Sequence, residues 1–451
     1  MKPAARAADI LVRLRRFLTA QNAAGKRMTV GFSGGLDSMV LLDCLSRLRE
    51  TIPLQLGAVH VNHGLSPNAD HWARFCAEQA RARAIPIDVL KVQVRRTRGA
   101  SIEAQAREAR FAAFSQLDTD YLVLAHHLDD QGETLLLQLL RGAGPKGLAS
   151  MAPSRMHAGK IHVLRPLLDI SRTKIQSYAE AGALQWIDDE SNQDLRFDRN
   201  FLRARVLPIL AQRFPGYREN LARSAKNMQD LDEVAGTLGR QDLLNLTRGR
   251  GIAVAGLREL SETRAMNALR TALQARDVAM PARDRLRELL RQACGARRDG
   301  KVRVELGRLT GQVYRGDLFF TRTRAEPQPW SLQWNGENPV QLPYAQGWIH
   351  VTRTKGRGLR ARALEKLLHF ANRGGGEKLQ LHPRQPRKTL THLYQTAAVP
   401  PWERARMPLL FSDKDVLWVP ALGYAASEQA SAEQDGIELT WIETEDEQNN
   451  L

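Results

Sequence analysis

The chain has 451 residues, 43% of them hydrophobic and 25% charged. Those are globular proportions, enough for two or three domains with sizeable cores, and they exclude a fibrous or wholly disordered protein. Sixty-six Lys and Arg against 49 Asp and Glu give a formal net charge of +17, an excess that points to a polyanion such as nucleic acid or, failing that, to an Arg-rich solubilising surface.

The stretch Met1–Gly25 is basic, and Arg13, Arg15 and Arg16 break its apolar positions. It reads as a surface helix packed on the first domain or as a transit peptide, not as a secretory signal. Strand and helix patterns then alternate. Met28–Phe32 predicts a strand, Leu36–Arg49 a helix, Leu54–Val61 a strand and Asp70–Ala84 a helix. Ile87–Val94 follows as a strand, Ser101–Leu117 as a helix and Tyr121–His126 as a strand, with a helix from about Asp129 to Arg141. This order predicts an α/β fold: a parallel sheet with helices on both faces, binding ligands beyond the carboxyl ends of its strands.

Tyr217–Cys294 carries apolar residues at helical steps. Lys301–Thr321 reads as short strands with turns at Gly307, Gly311 and Gly316, and the prolines from Pro327 to Pro343 read as a linker. Between Thr352 and Lys388 there are eleven Lys or Arg against two acids, whereas Ser427–Leu451 holds eight acids and no Lys or Arg, as expected of a flexible acidic tail. The division expected is a catalytic α/β domain over 1–215, a mostly helical α+β domain over 216–332 and a small basic α+β domain over 333–451.

Three cysteines, Cys44, Cys76 and Cys294, with no C-x-x-C pair, cannot form a disulfide framework or hold a cluster, and they fit a reducing, cytoplasmic compartment. No run approaches the ~18 apolar residues of a membrane span.

The strongest local signal is Ser33-Gly34-Gly35-Leu36-Asp37-Ser38, set between a strand and a helix. Glycines let the backbone approach a ligand, and the free N–H groups of a helix start favour an anion. There is no Lys-Ser/Thr, so this is not a Walker A loop. Asp37 would repel a phosphate unless Mg²⁺ bridged the two; the alternative is a plain turn with Asp37 favourably placed at a helix N-terminus.

Gly142–Gly147 spells G-x-G-x-x-G but follows a helix, so a dinucleotide reading fails its context. The histidines of His60-Val61-Asn62-His63 and His126-His127 lack a third partner at metal-ligand spacing and read as pocket lining. Asp130 and Glu133 share one helix face near its start, which suits a paired-carboxylate site for an amine or Mg²⁺ and equally a capping box. Glu103, Arg107 and Arg110 share another face, as surface ion pairs or phosphate clamps. Arg196, Arg199, Arg203 and Arg205 cluster around Asn200 with the same ambiguity.

Ser33–Ser38 resembles the pyrophosphate loop of the N-type ATP pyrophosphatases, and within them the chain is similar to the tRNA(Ile)-lysidine synthase family. The likeness is carried by His60–Leu65, Ala106–Phe111, Ala125–Thr134, Leu140–Gly142 and Arg165–Leu168. It continues at Asp189-Glu190-Ser191-Asn192, Arg199–Arg203, Lys388, Pro400-Pro401-Trp402-Glu403-Arg404 and Pro408–Leu410. Phe111 stands where the family often has Tyr, and nothing past Tyr424 matches.

The resemblance implies ATP-dependent adenylation of the C2 oxygen of the wobble cytidine in tRNA(Ile) with a CAU anticodon. Attack by free L-lysine then gives lysidine, with Mg²⁺ required. It assigns Ser33–Ser38 to ATP, Asp37 to Mg²⁺ and pyrophosphate, and Asp130 and Glu133 to lysine. Arg110 and Arg203 go to phosphate or the flipped base, and Arg360, Arg373, Lys388 and Arg404 to tRNA. A homodimer is compatible with it. Rival readings are a tRNA thiolase, a small-molecule synthetase on the same loop, and a tRNA-binding module with a degenerate loop.

Overall fold

Alternating apolar and amphipathic stretches build a six-stranded sheet in the N-terminal half. In the computed structural model the described residues are 3–94, 102–157, 161–190, 194–276, 278–297, 302–323 and 327–443. Helix α1 (Pro3–Ala20) precedes β1 (Arg27–Gly31), α2 (Leu36–Leu48), β2 (Gln55–Asn62), α3 (Ala69–Ala82) and β3 (Ile87–Lys91). Next come α4 (Ile102–Phe114), β4 (Tyr121–Val123), α5 (Leu128–Leu140), α6 (Pro145–Leu148), β5 (Ser154–His157), β6 (Ile161–Leu164) and α7 (Arg172–Ala181).

The strand order is β3-β2-β1-β4-β6-β5. Five strands run parallel; β5 pairs antiparallel with β6, so the expected all-parallel sheet is mixed at one edge. The period of two is visible in the packing. Ala58, Val123 and Leu164 join the cluster of α1, α2 and α7, while Val59, Leu122, Leu124 and Val163 join that of Phe111 and Phe114 on α4. Helices therefore cover both faces. Ile10, Leu14 and Leu18, four residues apart, bury one stripe of α1 in this core.

The chain continues through α8 (Asp198–Phe201), a π-helical turn at Leu202–Val206, α9 (Leu207–Arg213) and the long α10 (Tyr217–Leu246). Two compact units result, Met1–Leu246 with Leu260–Met280, and Thr247–Glu259 with Pro281–Leu451. The division falls inside the expected helical run, because β7 (Thr247–Arg248) and β8 (Gly251–Ala253) interrupt it before α11 (Val254–Glu259), α12 (Glu262–Gln274) and α13 (Arg283–Gly295).

In the second unit β7 and β8 extend an antiparallel sheet with β9 (Arg303–Leu306), β10 (Leu309–Tyr314) and β11 (Asp317–Arg322), in the order β7-β8-β11-β10-β9. Gly307 and Gly316 occupy turns with positive φ, as expected. Gly311 does not turn: it lies in mid-strand opposite Phe320, where a Cβ would come within 2.6 Å of Leu289 on α13.

The expected linker is also core. Trp330, Trp334, Val340 and Leu342 are buried, in and beside β12 (Ser331–Trp334) and β13 (Val340–Gln341). Beyond them lie β14 (Trp348–Lys355), β15 (Leu359–Arg360), β16 (Leu368–Ala371), β17 (Lys378–Leu379), β18 (Lys388–Thr389), α14 (Leu390–Thr396) and α15 (Pro401–Arg404). The last are β19 (Leu409–Ser412), β20 (Asp415–Val419), β21 (Gly423–Tyr424) and β22 (Asp435–Ile442).

Strand β22 corrects the flexible-tail expectation. It pairs along the whole of β14, with Ile437 and Leu439 buried between acidic neighbours; residues 444–451 lie outside the described set. Among the described residues no helix is long and apolar enough to cross a membrane.

Candidate active site

Strand β1 ends at Gly31, and α2 starts at Leu36 with Gly35 as its extended N-cap. Gly34 between them takes φ +83°, and a Cβ there would lie 2.7 Å from Ile187 and 2.9 Å from the Cys76 sulfur. Only glycine fits both constraints. The Ser33 hydroxyl lies 3.0 Å from that of Ser38, which donates to the Gly35 carbonyl, while Gly35 N–H donates to Ser33 Oγ. The loop is thus held from within, its helix N-terminus facing a cleft of about 790 Å³.

Ser33, Gly35, Asp37 and Ser38 line that cleft; Gly34 supports the turn from behind, and Leu36 is buried. The far walls are the end of β2 (His60–His63), Arg107 and Arg110 of α4, His126 and Asp130, and Arg199, Asn200 and Arg203. Ser101 and the Glu103 side chain lie outside the described set, as do Ser191 and Asn192. Gly142–Gly147 follows α5 and runs into α6, so it follows a helix as its sequence context indicates.

The carboxylates sit at the start of α5. Asp130 caps the helix with Oδ2, which accepts the His127 N–H at 3.0 Å, while Oδ1 accepts Arg203 Nη2 at 2.8 Å. Glu133, one turn further on and 1% exposed, accepts from Arg203 Nε and lies 3.4 Å from Arg199 Nε. Arg199 donates to Thr134 Oγ1 at 2.8 Å. Of the residues expected to be catalytic, Asp37, Arg110, Asp130 and Arg203 face the cleft, and Glu133 lies behind Arg203.

His127 is 2% exposed and does more than line a pocket. Its Nε2 lies 3.6 Å from Asp37 Oδ2 and 3.5 Å from Asp130 Oδ2, joining the loop carboxylate to the α5 pair. Burial opposes its charge, yet Asp37, Asp130 and Asp129 together hold the imidazole above its ordinary range. Burial would raise the Asp130 carboxyl, but His127 and the Arg203 guanidinium hold it below the usual range. At Glu133 burial outweighs Arg203 and the carboxyl is pushed up. Burial, with nearby arginines, drives His126 down to about 3 and His63 to about 4, so both are neutral. Trp72 and Phe197 also line the cleft; no periodicity in the sequence marks them.

Asp37 Oδ1 is buried and accepts no hydrogen bond among the described residues. One orphaned carboxylate oxygen beside a phosphate loop fits Mg²⁺, which takes one or two carboxylates together with substrate phosphates. No group of three or more acids, His or Cys among the described residues could hold a metal alone.

In the second unit Arg360 lies 3.5 Å from Glu428, Arg373 pairs with Glu377 at 3.2 Å, and Lys388 is half-buried. Arg404 departs from the expectation of a tRNA contact. It is 9% exposed, and its guanidinium donates to Val399 O at 2.8 Å and Tyr314 Oη at 3.1 Å.

The chain is similar to known proteins along most of its length. Residues 9–210 match a PP-loop domain, 253–319 the TilS substrate binding domain and 368–441 the TilS substrate C-terminal domain. The last match runs past Tyr424, where the sequence alone gave none. The tRNA(Ile)-lysidine synthase of Nitrosomonas europaea is 39% identical over 94% of this chain and 93% of its own. That of Serratia proteamaculans is 40% identical over 91% and 94%. A U34-tRNA thiolase from Methanococcus maripaludis aligns over 50% of this chain and 80% of its own, at 17% identity and a TM-score of 0.44. With that identity to the two synthases over nearly its whole length, the chain belongs to the tRNA(Ile)-lysidine synthase family, ligases of the PP-loop ATP pyrophosphatase class.

Proposed function

We propose that this chain ligates free L-lysine to C2 of the wobble cytidine of tRNA(Ile) with the CAU anticodon, converting ATP to AMP and pyrophosphate. The observation that carries the reading is one cleft lined by the Ser33–Ser38 loop, Asp130 and Arg203, with Glu133 paired to Arg203 behind it. The loop N–H groups and the α2 N-terminus hold the phosphates. The cytidine C2 oxygen attacks the α-phosphorus and pyrophosphate leaves, which turns a poor leaving group into a good one. Arg110 and Arg203 stabilise charge on the phosphate or the base. Asp37 would hold Mg²⁺, whose charge offsets that of the phosphates when bound.

The lysine ε-amine then attacks C2 and AMP leaves. Its pKa in water is about 10.4, so the site must strip a proton from it. Glu133, with its carboxyl pushed up, is the better acceptor, and Asp130, held anionic, positions the ammonium. Arg203 covers both carboxylates, so lysine binding requires its guanidinium to turn toward phosphate. The site belongs in the cytoplasm, with tRNA and free lysine.

The test is incorporation of labelled lysine into bulk bacterial tRNA with Mg·ATP, after alkaline deacylation to remove ester-linked lysine. Stable label with one AMP per lysine supports the reading; AMP without label moves the enzyme to another nucleophile.

A further inference from the structure

Both large side chains of the Pro400–Arg404 turn point into protein. The Trp402 ring lies edge-on to Tyr314, centres 6.1 Å apart, and against Phe319 at 5.5 Å. Arg404 Nε donates to Val399 O within its own segment and Nη2 to the Tyr314 hydroxyl. The guanidinium also lies 6.0 Å from the ring centre of Tyr394, which is fully buried. A third tie runs from Arg315 to the Gln395 carbonyl. Tyr314, Arg315 and Phe319 belong to the β10–β11 hairpin, inside the segment matched to the substrate binding domain. Gln395, Trp402 and Arg404 belong to the segment matched to the C-terminal domain.

We infer that Trp402 and Arg404 form a clasp. They are positioning residues that fix the basic C-terminal module on the β10–β11 hairpin and so set the span over which the second unit grips one tRNA. The inference rests on tRNA being the partner. A guanidinium that is 9% exposed, bonded to Val399 O and the Tyr314 hydroxyl and set against the rings of Tyr314 and Tyr394, is committed to protein contacts. Its planar fork serves two acceptors at once, a geometry that Lys does not reproduce. Holding two binding surfaces at a fixed span raises the effective concentration of the second contact, and loosening them lowers affinity without removing any phosphate contact.

The experiment measures tRNA retention on filters across a salt series, using the full chain with Arg404→Lys, Arg404→Gln, Trp402→Ala and Tyr314→Phe. The clasp predicts that Arg404→Lys is as weak as Arg404→Gln, about tenfold below the unsubstituted chain, with the salt slope unchanged. KM for tRNA should rise while kcat at saturating tRNA holds. Tyr314→Phe should weaken binding in the same direction and add little on top of Arg404→Gln.

A phosphate contact predicts the reverse, which overturns the inference. Arg404→Lys would then bind normally, Arg404→Gln would lower the salt slope by about one unit, and Tyr314→Phe would be silent. Tyr314→Phe keeps the ring and its packing, so it decides the question if the Arg404 variants fail to fold. If the chain binds tRNA but ligates no lysine, the proposed reaction fails and the clasp is still judged by binding. If it binds no tRNA, both fail.

Discussion

Arg203 and Glu133, 70 residues apart in the chain, form an ion pair that ties the π-helical turn at Leu202–Val206 to α5. The same guanidinium reaches Asp130 at 2.8 Å. Glu133→Gln keeps the volume and one acceptor but loses the proton-accepting carboxylate. Lysine transfer should fall by about a hundredfold or more, while pyrophosphate release from ATP persists. Rapid-quench separation of the two half-reactions checks this, and normal lysine transfer would make Glu133 a structural partner of Arg203 only. Arg203→Ala should also lower stability by about 1–3 kcal/mol, because it leaves Glu133 buried with weaker pairing.

Gly34 tests the loop. Alanine there would take a positive φ and place its Cβ against Ile187 and Cys76. Left-handed backbone costs about 1–2 kcal/mol and overpacking about 1–3, so Gly34→Ala should lower the urea midpoint and raise KM for ATP together. An unchanged KM for ATP would show that the loop does not shape the nucleotide site.

Acidification should weaken the fold. His126 and His63 have folded pKa values of about 3 and about 4, below the ordinary 6.5. The unfolded chain therefore binds more protons between about pH 4 and 6.5, and stability present above that window is lost as pH falls through it. Asp130, held low, adds to the loss at lower pH. His127 opposes it, because its raised value contributes stability below 6.5 that is lost as pH rises through the folded value. The urea midpoint should drop from pH 7 to pH 5, and drop less in His126→Gln. The Glu133 carboxyl, pushed up by burial, opposes it as well, so a midpoint that rises on acidification would mean that His127 and Glu133 dominate.

Much of this was legible in the sequence where a period or a turn carried the signal. The β–α alternation and the Ser33–Ser38 loop are local patterns, and the structure places both as read. Composition misled where local chemistry and packing disagree. Pro327, Pro329, Pro339 and Pro343 suggested a linker, yet Trp330, Trp334, Val340 and Leu342 between them are core. The acids after Ser427 hid an alternation, Ile437 and Leu439, that makes β22 a strand. Long-range pairings leave no sequence trace: nothing near Arg203 names Glu133, and nothing near Arg404 shows that its charge lies between tyrosines.

Binding to tRNA should fall steeply with salt, by roughly 0.7–0.9 log units per contacted phosphate for each log unit of salt. Lys388→Ala should weaken binding and reduce that slope by about one unit. An unchanged slope would remove Lys388 from the phosphate contacts.

The most direct measurement of the central claim is nucleoside mass spectrometry of a tRNA(Ile) CAU transcript after reaction with the chain, Mg·ATP and lysine. The wobble cytidine should gain one lysine less one water, with one AMP and one pyrophosphate formed per event. An unmodified cytidine, or a cytidine that gains sulfur in place of its C2 oxygen when a sulfur donor is supplied, would contradict it.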